Sequence, residues 1–146
     1  MTIVITSGDP AGIGPEIVQK AWICLKKNPT NEFFWIGDPL HLQDSNIPWE
    51  PIEHPDQASK VFDDALPILI HKFANPIKVG QHQPENAADV INVIKMAVNL
   101  VKTNKAKALC TSPINKNVLM SGAKFPYTGH TEFLANLDGI DSPVMM

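Results

Sequence analysis

The sequence has 146 residues, 44% of them hydrophobic and 18% charged, which is the size and composition of one ordinary soluble domain with a buried core. Its net charge of −3 and its dispersed lysines form no basic stripe, so the composition argues against nucleic-acid binding and favours a small-molecule partner. No run approaches the roughly 18 apolar residues of a membrane span. The strand-like run that begins at Ile3 starts two residues after Met1, without the basic stretch of a signal peptide. We therefore expect a cytoplasmic protein without a membrane partner.

All 12 basic residues are lysines, and the sequence contains no arginine. Arginine is the residue that makes bidentate contacts to phosphate and carboxylate groups. If the ligand carries such a group, either lysines and helix ends bind it or part of the site lies elsewhere.

Two groups of residues that often carry chemistry are expected to be inert here. Cys24 and Cys110 are far apart in sequence and lack the spacing of a metal site, so we expect both to be reduced core residues. Four histidines share no ligand spacing and are expected at the surface. They are His41, His54, His71 and His82.

The first 40 residues predict a β-α-β unit. Residues 3–6 are an apolar run typical of a buried strand. A helix is expected from Pro15, which suits a first helical position, to about Leu25. Residues 33–36 predict a second strand. This alternation of short apolar runs with helical periodicity indicates an α/β protein with a mainly parallel sheet.

After residue 40, the sequence pattern is weak in one region and clear in the others. Residues 41–79 contain scattered prolines, and we expect irregular structure there, with only residues 66–70 resembling a strand. An amphipathic helix is predicted from residue 84 to about 104. Residues 106–111 predict a further strand, and residues 143–146 look like the beginning of another.

The glycine-rich segment 8–16, GDPAGIGPE, lies between a predicted strand and a predicted helix start. Unpaired backbone N–H groups and the helix dipole at such a position favour an anion or a polar cofactor edge. The segment is neither a Walker loop nor the dinucleotide fingerprint. From the residues alone, a ligand-binding loop and a tight strand-to-helix turn both remain open.

His130 stands at a predicted helix start in the segment 129–132, GHTE. The helix dipole there disfavours the imidazolium, so His130 is expected to be neutral near pH 7 and able to donate to or accept from a ligand. The residues alone also allow a plain capping turn with a solvated histidine.

Three segments together resemble one enzyme family. Segment 8–16 strongly resembles the signature of the 4-hydroxythreonine-4-phosphate dehydrogenases of vitamin B6 synthesis, and segments 111–116 (TSPINK) and 125–135 (FPYTGHTEFLA) match that family in order and separation. The resemblance implies the α/β/α architecture of isocitrate and isopropylmalate dehydrogenases. Residues 1–146 would form the N-terminal portion of a two-domain α/β dehydrogenase, with no complete domain boundary inside them.

The resemblance also implies site residues. His130 and Thr131 are expected to bind substrate. The loops of the active site are expected to contain Asp9, Gly12, Gly14 and Lys116. No catalytic acid or base is assigned, and no metal ligand is expected within this chain, because the family's metal-binding histidines and phosphate-binding residues would lie beyond Met146.

The implied reaction is oxidation of 4-phosphohydroxy-L-threonine by NAD or NADP, with decarboxylation to 3-amino-2-oxopropyl phosphate, in pyridoxal 5'-phosphate synthesis. A divalent metal (Zn, Mg or Co) would stabilise the alkoxide from which hydride departs. The family implies a homodimer with the active site at its interface, and residues 1–146 alone are expected to be inactive.

Two other functions remain open from the sequence. The same motifs would serve a dehydrogenase of a phosphorylated four-carbon sugar acid, such as threonate or erythronate 4-phosphate. From a different class, the chain could be a truncated, non-catalytic module that pairs with another subunit.

Overall fold

A computed structural model describes residues 2–28, 30–42, 46–141 and 143. The strand expected at residues 143–146 therefore lies, apart from Pro143, outside the described residues. The strands are β1 (Ile3–Thr6), β2 (Phe33–Gly37), β3 (Trp49–Ile52), β4 (Leu66–Ile70) and β5 (Ala108–Cys110). The α-helices are α1 (Gly14–Leu25), α2 (Ala58–Val61), α3 (Ala87–Lys102), α4 (Lys116–Ala123) and α5 (His130–Asp138).

The strands form one parallel sheet in the order β3-β4-β2-β1-β5. Central strand β1 pairs with β2 on one side and β5 on the other, with Ile3 opposite both Phe33 and Ala108. Parallel strands need crossover connections, and α1 and α3 supply two of them. The predicted α/β class and the first β-α-β unit are confirmed.

Helices cover both faces of the sheet because alternate side chains of each strand point to opposite sides. Val4 and Phe34 pack with Val93 of α3 on one face. On the other face, Trp35 packs with Trp22 of α1. All five side chains are at most 1% exposed, so the sheet is the middle layer of an α/β/α sandwich.

The region expected to be irregular contains one strand that the sequence did not reveal. Trp49–Ile52 is an edge strand of four residues, and three of them are exposed. Pro51 is tolerated there because an edge strand need not donate a hydrogen bond at every position. The strand predicted at residues 66–70 is confirmed. Its Pro67 precedes Ile68, where pairing with β2 begins.

Three expectations about burial were wrong. Cys24 and Cys110 are free thiols, as expected, but both are exposed instead of lying in the core. His41, expected at the surface, is only 6% exposed, and its ring packs edge-on against Phe73.

No helix in the described ranges is long and apolar enough to cross a membrane.

Candidate active site

The order of the strands directs attention to the carboxyl ends of β1 and β5. From β1 the chain proceeds to β2 and the far side of the sheet, and it then crosses back from β4 to β5. The direction of winding therefore reverses between β1 and β5. In open α/β sheets, such a reversal leaves a crevice at the carboxyl ends of the strands, where ligands commonly bind.

Two of the three motif segments meet at this reversal. The backbone N–H of Asp9 donates to the carbonyl oxygen of Pro113 at 2.9 Å. One layer deeper, the backbone N–H of Ser112 donates to Thr6 Oγ1 at 3.1 Å. The loop after β1 and the loop after β5 are thus joined by hydrogen bonds, although more than 100 residues separate them in sequence.

The glycine-rich loop is held by its own residues as well. Asp9 Oδ1 accepts from the N–H of Ala11 at 3.1 Å, and the Asp9 carbonyl accepts from Gly12 at 3.0 Å. This local turn occupies one carboxylate oxygen of Asp9. Asp9 therefore shapes the loop directly, in addition to any contact with a ligand.

Gly12 and Gly14 have different surroundings. A Cβ atom added to Gly14 would lie 2.3 Å from the Ser7 carbonyl oxygen, and Gly14 is buried. A Cβ atom added to Gly12 would lie 3.3 Å from the Asp9 carbonyl oxygen, and Gly12 is exposed in a cleft. Gly14 is required for packing, whereas Gly12 leaves room on the open side.

The start of α4 supplies the second side of this cleft. Asn115 caps the helix, because its Oδ1 accepts from the N–H groups of Asn117 and Val118 at 3.1 and 3.3 Å. Lys116, the first residue of α4, is exposed and lines the cleft. The amide of Asn115 was not predicted as functional, although an asparagine before a helical pattern is a recognisable capping signal.

The cleft has a volume of about 770 Å³ and a mixed lining. Apolar side chains line it from both loops, and Ile13 and Met120 are 58% and 60% exposed. Polar groups come from Asp9, Asn115 and Lys116. Such a lining suits a ligand that combines a flat or apolar part with polar and anionic groups.

The third motif closes one end of the cleft with Tyr127 and Thr128. Tyr127 is held by edge-on packing against Phe125, with centroids 5.1 Å apart, and its hydroxyl donates to Asn136 Oδ1 at 2.8 Å. Phe125 in turn packs edge-on against Phe133 at 5.0 Å. This aromatic cluster fixes the turn that leads into α5.

His130 is the first residue of α5 and does not itself line the cleft. Its side-chain Nε2 is buried and has no hydrogen-bond partner among the described residues. Burial lowers the pKa of His130 below its ordinary value. This direction agrees with the neutral imidazole predicted from the sequence. The cause in the structure is burial of the ring, whereas the sequence argument relied on the helix dipole.

Thr131 does not line the cleft but lies in a separate groove on the surface. It lines an apolar groove beside the edge strand β5, together with Val98 and Val101 of α3 and Leu134 of α5. Of the residues predicted for the site, the structure brings Asp9, Gly12 and Lys116 into one cleft. Gly14 lies beneath that cleft, His130 lies two residues from its rim, and Thr131 lies in the neighbouring groove.

Two further observations concern metal binding and a second cavity. In the ranges that the structure describes, no three His, Cys, Asp or Glu side chains are placed to bind one metal ion. A second cavity of about 490 Å³ contains Thr2 and Lys105 and therefore lies at the amino ends of the strands. That position is opposite to the crevice in which ligands of such folds bind.

Comparisons with known proteins agree on one family. Residues 30–146 match the family model described as pyridoxal phosphate biosynthetic protein PdxA. The 4-hydroxythreonine-4-phosphate dehydrogenase of Ruegeria sp. strain TM1040 is 50% identical over 144 residues, which are 99% of this chain and 43% of that protein. The enzyme of the same name from Roseobacter denitrificans is 44% identical over 144 residues, which are 99% of this chain and 43% of that protein.

A solved structure extends this agreement to the fold. The crystal structure of a 4-hydroxythreonine-4-phosphate dehydrogenase from Burkholderia phymatum superposes with a TM-score of 0.86 at 30% identity, covering 97% of this chain and 44% of that one. The chain therefore spans less than half the length of the relatives that it matches. From the matched motifs, the fold and the family model together, we conclude that this chain belongs to the PdxA family of pyridoxal phosphate biosynthetic proteins.

Proposed function

We propose that this chain is the N-terminal portion of a nicotinamide- and divalent-metal-dependent dehydrogenase that oxidises 4-phosphohydroxy-L-threonine, with decarboxylation to 3-amino-2-oxopropyl phosphate. One observation carries the proposal: the glycine-rich loop and segment 111–116 are joined by the Asp9–Pro113 hydrogen bond around a single cleft at the switch point of the sheet. Relatives of this chain are named for that dehydrogenase activity.

The residues of the cleft suit a nicotinamide nucleotide and a phosphorylated substrate. Ile13 and Met120 offer apolar surface to a ring, and the exposed backbone at Gly12 permits close approach. When bound, the nicotinamide would accept the hydride. Lys116 supplies a positive charge for an anionic group of either ligand.

His130 would orient the substrate. Its unpartnered Nε2 is a buried polar atom that remains unsatisfied among the described residues, and such atoms normally acquire a partner. A neutral imidazole can accept a hydrogen bond from a substrate hydroxyl or donate one to it, according to its tautomer. We propose the same substrate-binding role for Thr131, on the basis of the matched motif.

We propose that the metal of this reaction takes its ligands from outside residues 1–146; within the described residues, no three His, Cys, Asp or Glu side chains are placed to bind one ion. We also propose that the complete protein is a homodimer whose active site lies at the subunit interface. In such an arrangement the cleft described above would be one part of the site.

Steady-state kinetics on the complete protein would test the proposal. With NAD or NADP and a divalent metal, 4-phosphohydroxy-L-threonine should give the higher kcat/KM when compared with threonate and erythronate 4-phosphates. A preference for the sugar acids would assign the chain to the related activity. Absence of turnover with all three substrates would favour the non-catalytic module.

A further inference from the structure

The connection between β4 and α3 reaches the glycine-rich loop of the cleft. At its tip, the backbone N–H of Gly80 donates to the carbonyl oxygen of Ala11 at 2.8 Å. Ala11 is buried and lies between Asp9 and Gly12, which both line the cleft. A segment far along the chain therefore holds the backbone of the glycine-rich loop directly.

This contact fixes one peptide group on both sides. The peptide group between Ala11 and Gly12 presents its carbonyl oxygen to Gly80, and its N–H donates to the Asp9 carbonyl oxygen at 3.0 Å. A peptide unit is planar, so a hydrogen bond at each side defines its orientation. Rotation of this unit would break both bonds and would turn the backbone at Gly12, which borders the cleft.

The tip of the connection is a tight turn over residues 78–81. The N–H of Gln81 donates to the Lys78 carbonyl oxygen at 3.0 Å, and Gly80, the third residue of the turn, has φ +75°. A positive φ at the third position is typical of a type II turn, in which glycine is favoured. No atom lies within 4 Å of a Cβ added to Gly80, so this glycine serves the backbone conformation and not packing.

The buried side chain of Gln83 holds this turn in place. Its Oε1 accepts from the backbone N–H of Lys78 at 2.6 Å, and its Nε2 donates to the Pro76 carbonyl oxygen at 2.9 Å. Gln83 is only 4% exposed. Because a buried amide needs partners for its donor and its acceptor, these two bonds restrict the side chain to one arrangement. The position of Gly80 therefore depends on Gln83.

We propose that Gln83 is a positioning residue for the nucleotide site, and that it acts on the backbone at Gly12 through the turn 78–81. The Gly80–Ala11 hydrogen bond is the link between the two loops. The proposal rests on the proposed function, since it requires that a nicotinamide nucleotide bind beside Gly12. A loop that is already ordered binds more tightly than one that must be ordered during binding. Gln83 does not line the cleft and would contact no ligand.

A purely local role is the alternative. Gln83 would then stabilise its own loop, and the glycine-rich loop would keep its conformation without it. Both roles predict a lower Tm when the amide is removed. They differ at Gly12, because only the positioning role connects the amide of this residue to Gln83.

The test uses the complete protein with Gln83→Met, which keeps the length of the side chain but removes both hydrogen bonds. Gln57→Met is the matched control, because Gln57 Oε1 accepts from the backbone N–H groups of Glu53 and His54 at 2.7 and 3.1 Å and does not line the cleft. By calorimetric titration, we expect Gln83→Met to raise the Kd of NAD or NADP about tenfold. The KM of the nucleotide should rise with little change in kcat. Gln57→Met should leave both values unchanged.

Hydrogen exchange supplies a measurement that needs no ligand. Exchange of the Gly12 amide should become about tenfold faster in Gln83→Met, because local opening of the turn releases the peptide group, and it should not change in Gln57→Met. Gly80→Ala is a milder second variant for the case that Gln83→Met does not fold. It strains the same turn without a clash and should give a smaller increase. The effects of Gln83→Met and Gly80→Ala on Kd should not be additive, since both act through one hydrogen bond.

The outcomes separate this proposal from the proposed function. Wild-type protein that binds neither NAD nor NADP would overturn the proposed function, and faster Gly12 exchange in Gln83→Met would still support the link from Gln83 to the glycine-rich loop. Equal nucleotide affinity in wild type and Gln83→Met would overturn positioning and leave Gln83 with its local role. Unchanged Gly12 exchange in Gln83→Met, or in Gly80→Ala if the first variant does not fold, would overturn it as well.

Discussion

The backbone N–H of Asp9 lies 2.9 Å from the carbonyl oxygen of Pro113, and this hydrogen bond joins the loop after β1 to the loop after β5. The contact requires Gly8, the residue immediately before Asp9. Gly8 has φ +67°, and a Cβ atom there would lie 2.4 Å from the Pro113 oxygen. The junction of the two loops therefore tolerates no side chain at this position.

Gly8→Ala should destabilise the complete protein by about 2 kcal/mol or more, because it combines left-handed backbone strain with a clash against the Pro113 carbonyl. Urea unfolding would measure the loss. Gly80→Ala is the control: Gly80 has φ +75°, but no atom lies within 4 Å of its added Cβ. Equal losses in both variants would show that strain alone acts and that the loops do not pack as described.

Gly12 and Gly14 should respond to substitution in different ways. Gly12→Val should weaken nucleotide binding about tenfold or more with little loss of stability, because its side chain enters the cleft. Gly14→Ala should mainly reduce stability, since its Cβ meets the Ser7 carbonyl at 2.3 Å. Calorimetric titration and urea unfolding of both variants would measure this. Normal nucleotide affinity in Gly12→Val would make the loop a structural turn only.

The fold was largely predictable because its inner elements carry strong periodic signals. Strand β1 was predicted with its observed bounds, and the predicted helix 84–104 contains α3. Strand β3 was missed because Trp49–Ile52 is short, mostly exposed and contains Pro51. Cys110 was misplaced because the sequence does not reveal that β5 forms an edge of the described sheet.

The sequence identified the loops of the candidate site but not how their residues are arranged in space. Motif resemblance indicated Asp9 and Lys116, which the structure places in one cleft. The hydrogen bond between Asp9 and Pro113 depends on the pairing of β1 with β5. Such tertiary contacts leave no periodic signal in the sequence, so neither this hydrogen bond nor the groove at Thr131 could be predicted.

His130→Ala in the complete enzyme should lower kcat/KM by about two orders of magnitude, because it removes a hydrogen-bonding group that orients substrate. The fold should be retained, since His130 Nε2 makes no hydrogen bond within the described residues. His82→Ala, an exposed histidine outside the cleft, is the control. If kcat/KM is the same in His130→Ala and wild type, His130 belongs to a capping turn.

Buried His41 should make stability depend on pH. Burial lowers the pKa of His41, although the charge of Asp38 opposes this shift. The unfolded chain therefore binds the proton more readily than the folded one below about pH 6.5. The stabilisation is complete above that pH and is lost as the pH falls through the lower pKa of the folded state.

His41→Phe should reduce this acid sensitivity while preserving ring packing against Phe73. The drop in Tm between about pH 7.5 and about pH 5 should be smaller in the variant than in wild type. Some drop should remain, because burial also lowers the pKa of His130. An identical drop in both proteins would mean that His41 titrates alike in the folded and unfolded chains.

Residues 1–146 expressed alone should neither turn over substrate nor hold a metal ion tightly. A catalytic divalent site needs about three converging protein ligands, and the described residues offer no such group. The edge strand β5 also has an apolar groove beside it, lined by Val98, Val101 and Leu134. An open edge with adjacent apolar surface favours self-association, so this polypeptide should also be marginally stable.

The measurement compares residues 1–146 with a full-length relative, such as the Ruegeria enzyme, under identical conditions. Absorbance of the reduced nicotinamide would report turnover with 4-phosphohydroxy-L-threonine, and equilibrium dialysis would report bound metal. Sedimentation at several concentrations would show whether the polypeptide associates. Turnover similar to that of the relative, or one tightly bound metal per chain, would contradict the assignment of the metal ligands to residues beyond Met146, because only groups within residues 1–146 could then supply them.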